Sequence, residues 1–346
     1  MNYLKKLLIF LCSFLILVSC KKADANKTPP ANLVLNAVVS SDGSGKVIFT
    51  ATADNSVSYF FEFGNGESRT NTSGNATYQY TEEGTKSYTV TVTATSSSAL
   101  TIKKSIQISV IVVAPVPTLF WSEEFDKDGA PDPTKWGYDL GTGSNGWGNS
   151  ELEYYTNRPE NAIVQGGFLK INAIRENYSG SAFTSARLLT KDKFAFKYGK
   201  VEVRAKLPAG VGTWPAIWML GSDVATAPWP ACGEIDIMEH LGRDLNKIYG
   251  TLHYPGHFGG SADGSTTLIA NATTEFHIYS LEWTAYTIKI FVDGQLFHTT
   301  VNYSGIPFNH DFFFILNVAM GGGFGGAVDA AFTNATMEVD YVRVYK

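Results

Sequence analysis

The 346-residue sequence reads as an all-β protein made of two β-sandwiches in tandem. Three observations predict this. Runs that alternate apolar and polar residues recur along the chain and are separated by Gly, Asn, Asp and Ser, as strands are by turns. No long stretch repeats its apolar residues at i, i+3, i+4 and i+7, so no extended amphipathic helix is expected. All seven tryptophans (Trp121, Trp136, Trp147, Trp214, Trp218, Trp229, Trp283) lie after residue 120, so the two parts of the chain differ in composition and in role.

Taken in order, residues 1–19 form a secretory leader. Lys5 and Lys6 precede an apolar run from Leu7 to Val18, which is too short for a comfortable membrane span. Its ending, Leu17-Val18-Ser19-Cys20, resembles a bacterial lipobox. That resemblance implies cleavage before Cys20, lipidation of its thiol and anchoring at the bacterial outer membrane or cell surface. An incidental cysteine in an ordinary signal peptide is the alternative. Residues 20–31, polar with Pro29 and Pro30, suit a tether.

Residues 32–113 carry short alternating runs such as "KVIFTATA", "VSYFFEF", "KSYTVTVTATS" and "TIKKSIQISVIVV", with turn signals "SDGSG" and "GNGES" between them. The "FGNG" turn and the later "GTKSYTVTV" strand resemble a PKD-type immunoglobulin-like module, which implies a small β-sandwich. It offers no His, no Cys and no acid cluster, so it reads as a spacer or a weak carbohydrate contact. Residues 114–118 are a Pro-punctuated linker. From 119 to 346 the strand runs continue, among them "GFLKINAIRE", "YGKVEVRAKL", "FHIYSLEWT", "HDFFFILNVAM" and "ATMEVDYVRVYK". "FVDGQLFH" holds the Asp-Gly signal of a tight hairpin. About 230 residues of antiparallel strands argue for a large jelly-roll sandwich.

Composition narrows the function. A net charge of −5 with 17% charged residues and no basic stripe excludes a nucleic-acid partner. Cys12 leaves with the leader and Cys20 carries lipid. Cys232 then stands alone as a small buried packing residue, and stability must come from the core.

The chemistry concentrates in "GEIDIMEH", where Glu234, Asp236 and Glu239 fall within six residues. In a regular strand Glu234 and Asp236 share a face and Glu239 points away. A β-bulge at Ile237-Met238 would bring Glu239 back to that face. Glu234 and Glu239 would then stand like i and i+4, with Cα atoms roughly 13 Å apart. From there their side chains can lean toward the carboxyl gap of about 5–5.5 Å used by retaining glycosidases. One carboxyl must ionise to act as nucleophile and another hold a proton to act as acid, and crowding separates their pKa values. An exposed acidic strand is the competing reading.

"GTWPAIWMLGSD", "WPACGEIDIMEH", "GTLHYP", "WGNSELEYYTNRPENAIVQGGFLKINA", "TSARLLTKDKFAFKYGKVEVRAKLP" and the closing "MEVDYVRVY" resemble glycoside hydrolase family 16, in its bulged E-x-D-x-x-E branch of laminarinases. The resemblance spans nearly all of residues 119–346 and implies a curved β-sandwich jelly roll with a substrate cleft on its concave face. It implies Glu234 as nucleophile, Asp236 as its assisting carboxylate and Glu239 as general acid/base. Trp214 and Trp218 match cleft positions, where an indole can stack on a pyranose, and Trp229 is a further candidate; core packing is the alternative for each. Asn149 and Arg187 match ligands of substrate hydroxyls, and His253 matches a secondary cleft position. Phe324 stands where the family often carries a tryptophan. The resemblance also implies a structural Ca²⁺ held by Glu123, the Gly167 carbonyl and Asp340, with no cofactor for catalysis.

The expected protein is thus a monomeric surface lipoprotein whose partner is a β-glucan and which hydrolyses internal β-1,3 bonds with retention. Mixed-linkage β-1,3-1,4-glucans, a sulfated galactan, and glycan binding without catalysis stand as alternatives.

Overall fold

The computed structural model describes residues 27–113 and 117–346. The leader, Cys20, most of the tether and the first part of the linker lie outside the described residues. The chain divides into two compact units, Met1–Val116 and Pro117–Lys346.

In the first unit, strands Ala31–Val39, Lys46–Asp54 and Asn75–Gln79 form one sheet. Strands Ser68–Asn71, Ser58–Glu62, Gly84–Thr95 and Thr101–Val112 form a second. Alternation decides which side is buried: Val47, Phe49 and Ala51 turn inward while Ile48, Thr50 and Thr52 turn out. The inward residues of both sheets share a single core, in which Phe49 lies 6.3 Å from Phe61 and 5.7 Å from Phe63.

The second unit is a two-sheet jelly-roll sandwich. One sheet has ten strands, running from Glu153–Tyr155 through Leu169–Tyr178, Asn334–Tyr345, Gly199–Lys206 and His277–Trp283 to the hairpin Thr287–Val292/Gln295–Val301. That hairpin turns at Asp293-Gly294 with φ of 48° and 76°, the two positive values that an Asp-Gly turn of type I′ requires. The other sheet has seven strands, in the spatial order Asp263–Leu268, Lys247–His253, Glu234–His240, Thr213–Gly221, Phe312–Met320, Arg187–Leu189 and Gly137–Asp139. The inner faces of both sheets build one core, where Ile235, Leu316, Leu281 and Val342 are all fully buried. Trp283 bridges it with its ring 5.2 Å from Phe312. The other face of the seven-stranded sheet is free to carry polar side chains, and the site lies there.

Among the described residues no helix is long and apolar enough to cross a membrane. Cys232 is buried and makes no disulfide, as expected for a packing residue.

Candidate active site

The strand Glu234–His240 carries the bulge that the acid spacing requires. Toward Lys247–His253 the register pairs Asp236 with Thr251 and Glu239 with Tyr249, so Ile237 and Met238 together oppose Gly250. Toward Thr213–Gly221 it pairs Trp218 with Asp236 and Ala216 with Glu239, slipping between Ile217 and Trp218. Ile237 and Met238 are both fully buried in the core, and Glu239 returns to the face of Glu234 and Asp236. All three acids line one cleft of about 830 Å³ on the outer face of the seven-stranded sheet.

Strand pairing arranges the cleft floor in rows. Tyr249, Glu239, Ala216, Asn317, Arg187 and Asp139 stand side by side on successive strands. The next row holds Thr251, Asp236 and Trp218, and the one after it His253, Glu234 and Leu220.

Each acid has its own surroundings. Glu239 accepts the Trp214 indole N–H at 2.9 Å on Oε1 and the Thr251 hydroxyl at 3.4 Å on Oε2. Asp236 faces His253, whose Nε2 lies 3.3 Å from Oδ2 and 3.8 Å from Glu234 Oε1. The Gly259 backbone N–H donates to His253 Nδ1 at 3.3 Å, which leaves the imidazole proton on the Nε2 side, toward the acids. Burial, and then the mutual repulsion of the acids, pushes Glu234 and Asp236 well above the ordinary carboxylate range. Burial raises Glu239 as well, opposed first by the Trp214 hydrogen bond and then by His253 and Thr251. Such a cluster holds protons and negative charge side by side, as acid–base work on a glycosidic bond demands.

The aromatic residues sort into three groups. Trp214 and Phe324 meet edge to face at 5.3 Å, with Tyr249 5.0 Å from Phe324, next to Glu239. The Arg243 guanidinium anchors this wall by donating to the Phe324 and Gly325 carbonyls at 2.8 and 2.7 Å. Trp229 stands at the rim beside His253, 44% exposed and 5.5 Å from Phe258. Trp218 is half-buried; its indole N–H donates to Asn317 Oδ1 at 2.8 Å.

Arg187 is engaged more than a free hydroxyl ligand would be. Its Nε lies 3.0 Å from Asp139 Oδ2, and its guanidinium is sandwiched between the rings of Trp147 at 4.5 Å and Trp218 at 4.9 Å. Asn149 lines the cleft and donates to Glu151 Oε1 at 3.1 Å. Trp147, Glu151, Thr251 and Asn317 also line it and were not singled out from the sequence. Asn317 had left a signal, as the polar residue inside the apolar run "FFFILNVAM". Trp147 sits at φ 54° in a turn where Asn145, Gly146 and Gly148 are also left-handed, a shape no periodicity announces.

The expected calcium ligands lie elsewhere. Glu123 pairs opposite Val342, accepts the Phe125 N–H at 3.1 Å and has Lys135 at 3.4 Å. Asp340 is ion-paired with Arg204, and Gly167 occupies a turn at φ 83°. Among the described residues the one group of metal-capable side chains is Glu234, Asp236 and His253. With Nδ1 held by Gly259, the His253 nitrogen on that side presents a proton and no lone pair.

Comparison with known proteins accords with this geometry. The family model described as "Glycosyl hydrolases family 16" matches residues 149–343. The "Beta-glucanase" of Rhodothermus marinus is 46% identical over 249 residues, covering 67% of this chain and 86% of its own. The "Glucan endo-1,3-beta-glucosidase A1" of Niallia circulans is 40% identical over 257 residues, covering 66% of this chain but only 38% of that longer protein. Among solved structures, the laminarinase from Rhodothermus marinus aligns with a TM-score of 0.64 at 46% identity, covering 67% of this chain and 98% of that one. With the carboxylate cleft in place and a family model matched across it, this chain belongs to glycosyl hydrolases family 16.

Proposed function

We propose that this chain is a retaining endo-glycosidase that hydrolyses internal β-1,3-glucosidic bonds of laminarin-type glucans. The observation that carries the reading is the Ile237-Met238 bulge, which sets Glu234, Asp236 and Glu239 on the floor of one open cleft between aromatic walls. The relatives named as acting on β-1,3-glucan or as laminarinases support the substrate class.

In the first step the Glu234 carboxylate attacks the anomeric carbon while Glu239 gives its proton to the departing glycosidic oxygen. In the second, Glu239 takes a proton from water, and the resulting hydroxide displaces Glu234 from the sugar. Asp236, next to the nucleophile and likewise pushed up by burial, can take up the proton that Glu234 must lose before it attacks. Trp214 both orients Glu239 and offers an apolar ring edge to a sugar. Product profiling on laminarin, lichenan, curdlan and agarose tests the assignment. Laminari-oligosaccharides from laminarin are expected, and Glu234→Gln or Glu239→Gln should remove turnover while the melting curve persists; near-normal rates in either variant would overturn the roles.

A sulfated galactan is disfavoured because the arginine in the cleft wall is already neutralised by Asp139. Glycan binding without hydrolysis is disfavoured by the intact acid trio. Several further readings accompany the main one: a PKD-like spacer at residues 32–113, lipidation at Cys20 with anchoring at the cell surface, and a monomeric state. A structural Ca²⁺ at Glu123, Gly167 and Asp340 is a further reading, in which the ion would have to compete with Lys135 for Glu123 and with Arg204 for Asp340. It would clamp the sandwich and take no part in the chemistry, and chelation should lower the melting temperature if it is bound.

A further inference from the structure

Beneath the cleft wall lies a second acid pair that the mechanism above does not use. Glu153 is completely buried and Glu151 is 9% exposed, facing the cleft. Glu153 Oε2 accepts the Met320 backbone N–H at 2.6 Å, and its Oε1 is buried with no donor facing it. Glu151 is occupied on both oxygens: Oε1 accepts Asn149 Nδ2 at 3.1 Å and Oε2 accepts the Tyr155 hydroxyl at 3.0 Å.

The direction of this network can be read from its far end. An indole N–H only donates, so Trp218 fixes Asn317 with Oδ1 toward the ring and Nδ2 toward Tyr155, at 3.0 Å. The Tyr155 oxygen therefore accepts from Asn317 and its proton goes to Glu151. Glu151 must then be an acceptor on both sides, a role that suits a carboxylate. Glu153 stands outside this chain of hydrogen bonds: Met320 N–H is its partner on Oε2, and Oε1 meets no donor. Burial first, and the neighbouring Glu151 second, hold Glu153 well above the usual carboxylate range. Burial likewise keeps the Tyr155 phenol protonated, opposed in part by the Arg187 charge.

We propose that Glu151 is a positioning residue for glucan binding, locking the amides of Asn149 and Asn317 so that each presents a fixed polar atom to the sugar hydroxyls. The Asn149 arm is direct, and the Asn317 arm runs through Tyr155 and also steadies the Trp218 ring. Neither glutamate touches the reacting atoms. This inference rests on the glucanase reading, and turnover of laminarin by the unmodified protein is the control that separates failure of one from failure of the other.

The test compares Glu151→Gln, Glu151→Leu and Tyr155→Phe by steady-state kinetics on laminarin, with melting curves for each. Glu151→Gln keeps one acceptor oxygen, so its KM should rise only a few-fold. Glu151→Leu matches the size but accepts nothing. It should raise KM by about tenfold or more, the scale of one unmet buried hydrogen bond. Tyr155→Phe cuts only the Asn317 arm and should also raise KM, with kcat changed less. If Glu151 served packing alone, the variants would lower the melting temperature and leave KM unchanged. That outcome, or equal effects from Glu151→Gln and Glu151→Leu, overturns the proposal.

Discussion

Replacing Trp214 by phenylalanine isolates one hydrogen bond at the centre of the proposed chemistry. The indole N–H meets Glu239 Oε1 at 2.9 Å, and the remaining donor, Thr251, lies at 3.4 Å on the other oxygen. Glu239 is 8% exposed, so water replaces the lost donor poorly. A hydrogen bond to an ionised group contributes about 1.5–3 kcal/mol. At about 1.4 kcal/mol per pKa unit, its loss should raise the pKa of the Glu239 carboxyl by about 1–2 units, since only the ionised form loses a donor. The general acid must be protonated, so the alkaline limb of kcat/KM against pH reports its ionisation in the free enzyme. The three acids titrate as a cluster, and the limb belongs to the cluster, but the direction of the shift is the same. The assay is kcat/KM on laminarin across the pH range. An alkaline limb displaced upward by one unit or more is expected, together with a pH-independent loss from the smaller ring. A limb that stays in place, or moves down, would refute Glu239 as the acid held by Trp214.

Three further outcomes follow from the same geometry. Asp236 has a raised folded pKa, so the stability it contributes is fully present below the unfolded value near roughly 4 and is lost as pH rises through the folded value. Asp236→Asn should therefore melt with the unmodified protein at acid pH and above it near neutrality, while losing activity; a gap that shrinks with rising pH contradicts this. Gly250 faces the bulge with the Phe297 ring only 2.8 Å from where a Cβ would stand, so Gly250→Val should cost about 1–3 kcal/mol in melting experiments and lower kcat. Arg187→Lys keeps the charge but loses the flat stack between Trp147 and Trp218, and KM on long laminarin fragments should rise several-fold with little change in kcat.

The bulge was legible because three acids spaced by two and then three residues cannot share a face of a regular strand. The hairpin at Asp293-Gly294 was legible because few dipeptides accept two positive φ values. The wall around Arg187 was not. Its members come from the Asn145–Ser150 turn, Arg187–Leu189, Thr213–Gly221 and the Asp139 edge strand, and only the folded sheet brings them together. In "ELEYY" the alternation was present but misleading. An apolar-inside rule would bury Leu152 and expose Glu153, yet Leu152 is 48% exposed and Glu153 is wholly buried. A polar network inverted that pattern, and networks are set by partners distant in the chain, here Met320 and Asn317. Glu123 and Asp340 proved harder to read than the catalytic acids, because each already faces a cation.

The central claim is that Glu234 and Glu239 face one sugar from a single cleft and act in two successive displacements. The anomeric configuration of the first product tests it most directly, by ¹H NMR of the reducing ends released from laminarin in the first minutes, before mutarotation. The account predicts that the β-anomer appears first and relaxes to the equilibrium mixture. An initial α-anomer would mean a single displacement by water and would contradict it.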